Sequence, residues 1–401
     1  MNILFLSINF KVEVSGIYTD LMQELKIRGH NIYSVSTTER RNGISTFTKF
    51  ENGINILKIK TLNIQKVNKI EKGIATLLLE SQFINGIKKY YGDIKFDLII
   101  NATPPITFEK VIRYIKARDG SINYLLLKDI FPQNAIDLGM MSEKSLIYKV
   151  FRKKEEKLYK IADYIGCMSD RNKTYILEHN PEINESKVEV CPNSIKPKSI
   201  IRLSEEEKSE LKEKLNINKS ALTIIYGGNL GKPQGIDFLI DIINSNKDRN
   251  DVHFLIIGNG TEFSKLESFL NELKPQNTTL KAYLPKNEYE KFVNVADVGL
   301  ILLDRNFTIP NFPSRILSYM EYSLPVIAAT DVNTDIGECI LKGNFGYWCE
   351  SGNIDEFNKI INKVIKDKEK IIEMGMSSRE YLENNFTVDI SADIILEKFK
   401  K

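Results

Sequence analysis

Short aliphatic and β-branched runs alternate along the chain with longer stretches whose apolar positions recur every three or four residues. NILFLSI (2–8) leads into SGIYTDLMQELKIRG (15–29) and then HNIYSVS (30–36), and FDLIINA, NYLLLKDI and YIGCMS follow at similar intervals. Short buried runs predict strands and the 3.6-residue pattern predicts crossover helices, so the alternation predicts a parallel sheet. After KVEVCPNSIKP (187–197) and the charged helical pattern SEEEKSELKEKLN (204–216) the rhythm restarts with LTIIYGG, VHFLIIG, DVGLILL and PVIAA. From about Phe357 the pattern is helical to the end. The prediction is an α/β chain of two doubly wound domains, 1–193 and 194–380, with a helix in 381–401 that returns to the first domain.

Composition is consistent with this division. The 401 residues are 42% apolar and 27% charged, enough for two ordinary cores. The net charge of +3 hides an asymmetry: residues 1–195 carry 29 Lys and Arg against 22 Asp and Glu, and the remainder 27 against 31. RKKEEK (152–157) and KVNKIEKG (66–73) are then either a face that docks on an anionic membrane or a solvated lysine-rich surface. Cys167, Cys191, Cys339 and Cys349 form no CxxC pair, which fits a reducing compartment and argues against a disulfide framework or zinc site. The N-terminal MNILFLSINF lacks a basic leader, and no run approaches the ~18 apolar residues of a membrane span. The expectation is a cytoplasmic protein, or one peripheral on the inner face of the cell membrane.

Ligands of open α/β sheets gather beyond the carboxyl ends of the strands. The first strand runs into SINFKVEVSG and sets Gly16 at the mouth of a helix, either as an anion site or as a plain turn. YGGNLGKPQG (226–235) is the stronger signal. Its four glycines follow a strand and precede a helical pattern, so backbone can approach a diphosphate with Lys232 as countercharge. Gly258 and Gly260 form only a GxG, read equally as close packing or ligand contact. The dinucleotide GxGxxG is absent, and hydride chemistry loses its main support. Asp129, beside Lys128, is read either as a carboxylate that orients a hydroxyl or as a helix N-cap. NATPPIT (101–107), with Thr103, is either a rigid cleft wall or a structural turn. His30, His179 and His253 lack metal-ligand spacing. PSRILSYMEYSLPVIA (313–328) reads as a turn, a helix and a buried strand, with Arg315 at the helix mouth and no carboxylate until Glu321.

In order, the strand-end Gly16 loop, Gly29-His30, Pro192-Asn193, GGNLGKPQG, IIGNG, ADVGLILL and PSRILSYMEYSLPVIA resemble the GT-B glycosyltransferases of the large retaining family four, over nearly the whole chain. The resemblance implies Rossmann-like domains facing each other across a cleft, the second holding a nucleotide diphosphate sugar and the first an acceptor. KDIFPQNAIDLG (128–139) further resembles the subgroup that transfers N-acetylated amino sugars, such as N-acetylfucosamine, in capsule and O-antigen assembly.

By that resemblance Arg315 meets the diphosphate as the leaving group gains charge. The wider family carries two glutamates where this chain has Pro310 and Ser318, and an Arg and a Lys where it has Asn229 and Gln234. The implied site is rewired, with Lys232 and Arg315 carrying the positive charge and Ser318 a ribose contact. Gly16, Gly228, Asn229, Gly258, Leu284, Pro310, Asn311, Ser314 and Ser318 fall on the donor side, Lys128 and Thr103 on the acceptor side, and Asp129, Arg315 and Lys232 take the catalytic roles. The expected reaction is retaining, metal-independent transfer from a UDP-sugar to a lipid-linked or saccharide acceptor, with no cofactor and no nucleic acid. Two other classes share the scaffold: a nucleotide-sugar epimerase, against which the scarcity of histidine counts, or a phosphorylase, which would normally show a cofactor-lysine context or a longer chain, and a catalytically weakened partner subunit.

Overall fold

The computed structural model describes residues 1–12, 15–64, 67–200 and 203–399, with side chains for all of these except 69, 70, 72, 205 and 286. Lys66 and the Lys69 and Lys72 side chains of the KVNKIEKG segment thus lie outside the described residues. The chain divides into two compact units, Met1–Lys196 with Val388–Lys401, and Pro197–Thr387.

The first unit is built on β1 (Asn2–Leu6), β2 (Asn31–Glu39), β3 (Phe47–Glu51), β4 (Ile54–Thr61), β5 (Leu98–Ala102), β6 (Ile122–Leu127), β7 (Tyr164–Cys167) and β8 (Val188–Val190). The sheet order is β3-β4-β2-β1-β5-β6-β7-β8. Every neighbouring pair is parallel except β3 and β4, which form a hairpin. Asn52 and Gly53, both at positive φ, supply the two-residue turn that such a hairpin favours. Strand order reverses at β1 and β5, so the loops after these strands flank the switch point. Ile3, Phe5, Ile100 and Leu126 share one core with Leu21 and Leu25 of the helix Ile17–Ile27. Val388, Ala392 and Ile395 of the returning helix Val388–Glu397 complete it. Arg28 Nη1 pairs with Asp393 at 2.5 Å across the same helix pair.

The second unit holds β9 (Leu222–Asn229), β10 (Val252–Asn259), β11 (Thr278–Lys281), β12 (Val298–Leu302), β13 (Val326–Thr330) and β14 (Gly346–Glu350), in the order β11-β10-β9-β12-β13-β14. All neighbours are parallel. This is a doubly wound order with its switch point between β9 and β12. Ahead of the sheet, Ser204 and Glu207 close a capping box on the helix Glu205–Lys214, the S-x-x-E signature at its mouth. Ile224, Ile256, Leu300 and Ile327 pack with Ile242, Phe357 and Ile361 as the core. Among the described residues no helix is long and apolar enough to cross a membrane.

Candidate functional site

In the second unit the site begins where β9 ends, at the switch point. Gly227 donates its backbone N–H to the Tyr319 hydroxyl at 3.0 Å, and that hydroxyl donates to the Leu300 carbonyl on β12 at 3.3 Å. The Tyr289 hydroxyl lies where a Cβ on Gly227 would stand, so only glycine lets this ring in. Gly228 is exposed, with φ +126, and pairs in register with Gly258 on β10. A Cβ on Gly258 would sit 1.8 Å from the Gly228 carbonyl oxygen. Gly258 is therefore buried under its neighbour's backbone, and its glycine identity follows from close strand approach. Beyond β9 the loop is closed by its own side chains: Asn229 Nδ2 donates to Gln234 Oε1 at 2.8 Å, and Gly231 N–H donates to the same oxygen at 3.2 Å. The two positions that are cationic in the wider family thus form a neutral pair. Lys232, exposed, starts the turn between them, and Gly235 ends it at φ +57, 3.0 Å from the Leu303 carbonyl if it bore a Cβ.

Arg315 opens the helix Arg315–Glu321. Its guanidinium carbon lies 4.4 Å from the centroid of the Tyr226 ring, and the Tyr226 hydroxyl donates to the Asn229 carbonyl at 2.7 Å. The same carbon is 3.6 Å from where a Cβ on Gly228 would be. Nη1 is buried and has no hydrogen-bond partner, and among the described residues no carboxylate pairs with the side chain. Burial works against the charge, yet the hydroxyls of Tyr226, Tyr319 and Tyr289 outweigh it and Arg315 titrates above the ordinary arginine range. The same burial pushes Tyr319 up to about 12. A buried charged donor left unpaired costs about 1–3 kcal/mol or more. A ligand anion beside Gly228 would relieve that cost.

The irregular segment ahead of Arg315 is anchored by the loop after β13. Asn333 Nδ2 donates to the Phe307 carbonyl at 2.5 Å and Thr334 Oγ1 to the Asn311 carbonyl at 2.6 Å. Pro310 is buried, Ser314 is exposed, and Ser318 is half-buried on the turn after Arg315. Leu284, half-buried, lies between β11 and the helix Lys286–Val295 that carries Tyr289. Glu321 is structural: its Oε1 accepts from the Lys198 N–H at 3.0 Å.

In the first unit the structure brings Thr103, Lys128 and Asp129 together. Thr103 Oγ1 donates to the Asp129 carbonyl at 2.8 Å and accepts from the N–H groups of Lys128 and Asp129 at 3.0 and 3.1 Å. Thr103 is buried, so it clamps the end of β6 to β5 and offers no surface to a ligand. Asn134 Nδ2 donates to both Asp129 carboxylate oxygens at 2.9 and 2.8 Å. Burial raises the Asp129 pKa to about 6 against the opposing effect of Asn134. The helix-cap reading of Asp129 does not hold, because the helix Gln133–Asp137 starts after Pro132. Lys128 Nζ donates to the Cys191 carbonyl at 3.1 Å, and burial lowers its pKa. At the other candidate loop Gly16 donates its N–H to Asp20 Oδ1 at 3.3 Å, as does Ser15 Oγ at 3.1 Å. A carboxylate already occupies the first turn of that helix, which weakens its pull on a second anion.

Residues 207–381, nearly all of the second unit, match the family described as glycosyl transferases group 1. A "Probable glycosyltransferase WbjE" of Pseudomonas aeruginosa is 22% identical over 335 residues, 82% of this chain and 79% of its own length. Sucrose-phosphate synthase from Thermosynechococcus elongatus superposes with a TM-score of 0.80 at 13% identity, covering 100% of this chain and 98% of that one. Anabaena Alr3699/HepE, solved in complex with UDP-glucose, gives 0.70 at 16% identity, covering 100% and 99%. The fold of the whole chain is the GT-B fold.

Sequence reasoning singled out Arg315 and the glycine loop of the second unit but not the three tyrosines packed around them. Tyr226 precedes the glycine pair and Tyr319 follows Arg315 by one helical turn, and each had that much local signal. Tyr289 had none. Among the described residues no cluster of three or more His, Cys, Asp or Glu side chains is placed to hold a metal ion. His253, for example, is lowered to about 4 by burial, and its Nε2 meets Thr279 Oγ1 at 2.9 Å.

Proposed function

We propose that the chain is a retaining glycosyltransferase that moves an N-acetylated amino sugar from a UDP-sugar to a lipid-linked or saccharide acceptor in surface-polysaccharide assembly. The observation that carries this reading is the buried, unpaired Nη1 of Arg315 beside the exposed Gly228 backbone at the β9–β12 switch point. In this role the guanidinium meets the diphosphate, and its attraction grows as the sugar bond breaks and charge moves onto the leaving oxygen. Lys232 adds countercharge, and Ser318 meets the ribose. Asp129, fixed by Asn134, orients the acceptor or sugar hydroxyl; retention asks for positioning more than for a strong base. The UDP-glucose complex of HepE supports a uridine nucleotide sugar as donor.

Purified protein presented with a panel of nucleotide sugars tests this. The expected result is UDP release from a UDP-linked N-acetylated amino sugar, slow in water and fast with acceptor, and a product whose anomeric configuration by NMR equals the donor's. UDP binding without release from any sugar would replace the reading with a non-catalytic partner of the same fold.

A further inference from the structure

The helix Leu146–Ile161 of the first unit exposes aliphatic side chains where a soluble helix would carry polar ones. Leu146 is 79% exposed, Ile147 60% and Val150 56%, and Met140 ahead of the helix is 68% exposed. Lys153, Lys154 and Lys157 continue the same face toward the C-terminus, at positions three, four and seven beyond Val150. Among the described residues none of these lysines has a carboxylate within ion-pair distance. The carboxylate of Glu155 points the other way, buried against the Tyr159 hydroxyl at 2.7 Å and Arg152 Nη1 at 2.5 Å, and Arg152 also holds Glu156 at 3.4 Å. Glu155 is thus turned inward, while Glu156 stays exposed and is held by Arg152 rather than by the three lysines. The helix Lys69–Tyr90 repeats the apolar part with Ile74, Leu77 and Leu78 exposed, and both helices pack against the intervening helix Glu109–Asp119.

We propose that this face docks on an anionic lipid bilayer, with Leu146, Ile147 and Val150 entering the interfacial layer and Lys153, Lys154 and Lys157 meeting lipid phosphates. Exposed aliphatic groups clustered beside lysines have the composition of an interfacial amphipathic helix. A protein partner fits less well, because protein interfaces are depleted in lysine and centre on aromatic residues and arginine, and this patch has neither. Binding at such a surface sums apolar insertion and attraction to anionic headgroups, so it should have one component that salt removes and one that it does not.

The test is flotation of the full-length protein with vesicles of phosphatidylcholine alone and with phosphatidylglycerol added, at low and high salt, with no nucleotide sugar present. Wild type should float with the anionic vesicles and lose most of that binding at high salt. A Lys153→Gln, Lys154→Gln, Lys157→Gln variant should bind anionic vesicles at least about tenfold more weakly. A Leu146→Ser, Ile147→Ser, Val150→Ser variant should lose the salt-resistant part, while Ile372→Ser with Met376→Ser, two exposed apolar residues of the second unit, should change nothing. Thermal melts should stay close to wild type throughout, since every altered position is exposed except the half-buried Lys154. Failure to float at low salt, or equal flotation of wild type and both first-unit variants, would overturn the proposal. Self-association that the serine variant abolishes without any vesicle binding would assign the patch to a second copy instead. Because no substrate is used, either result leaves the donor-site reading to its own assay.

Discussion

Arg315 lies over the face of Tyr226, 4.4 Å from the ring centroid, in place of any carboxylate partner. A π face holds a cation without neutralising it, and in a desolvated setting contributes roughly 2 kcal/mol. The charge is kept in position and left available for an anion.

Removing the cation should therefore act on the reaction more than on the fold. Arg315→Ala should lower kcat/KM by about 2–4 kcal/mol of transition-state stabilisation. Arg315→Lys should recover only part of it, because an ammonium lacks the planar fork and the stacking face. Tyr226→Phe keeps the ring and loses one hydrogen bond to Asn229, so its cost should be about 1 kcal/mol. Ser318→Ala should cost about the same or less. Steady-state kinetics beside thermal melts separate the cases, and a folded Arg315→Ala protein with unaltered kcat/KM would refute the role.

Asp129 makes a pH prediction. Its pKa is about 6 in the fold against 3.8 unperturbed, so the folded state binds the proton more tightly than the unfolded chain. Its contribution to stability is then present below about pH 4 and is lost as pH rises through the window up to about 6, by roughly 1–3 kcal/mol. Asp129→Asn cannot ionise and should melt above wild type near neutral pH, with the gap closing toward pH 4. If the ionised form orients a hydroxyl, wild-type kcat/KM should rise with an apparent pKa near 6. A profile flat between pH 5 and 7.5 would remove Asp129 from the reaction.

The features legible in the sequence were those carried by local spacing. The glycines of YGGNLGKPQG marked a tight loop, and the Pro-Ser-Arg turn before an apolar helix marked Arg315. The Asn52-Gly53 turn is equally local, but β3 (Phe47–Glu51) is exposed along nearly all its length and lacks the buried apolar run that marks the other strands. The tyrosine cluster was not legible, since Tyr226, Tyr289 and Tyr319 come from a strand and two separate helices and meet only through packing. Asn134 belongs between these extremes. It is five residues from Asp129, but nothing in KDIFPQNA shows that a single amide will grip both carboxylate oxygens.

Gly258 offers a test of the fold itself. A Cβ there would stand 1.8 Å from the Gly228 carbonyl oxygen, which is backbone and cannot swing away as a side chain would. Gly258→Ala must push β10 from β9 and should cost on the order of 3 kcal/mol. For a unit of this size that lowers Tm by roughly 6–12 °C. Gly16→Ala, where a Cβ meets nothing within 4 Å and the backbone is extended, should melt as wild type does. Equal melts for the two variants would show that the β9–β10 contact is not tight.

Chelation tests where the positive charge for the diphosphate comes from. A leaving diphosphate needs either a bound cation or cationic side chains with N–H donors, and each is sufficient in principle. Here the side chains present are Arg315 and Lys232, while no cluster of three or more His, Cys, Asp or Glu stands ready among the described residues. Turnover should then persist in EDTA at about its starting rate, and added magnesium or manganese should change it little. The dependence should instead appear on anions: inorganic pyrophosphate should compete with the donor in wild type and much less in Arg315→Ala. Loss of turnover in EDTA, restored by a divalent cation with pyrophosphate inhibition equal in both proteins, would move the source of positive charge from Arg315 to a metal carried in by the nucleotide.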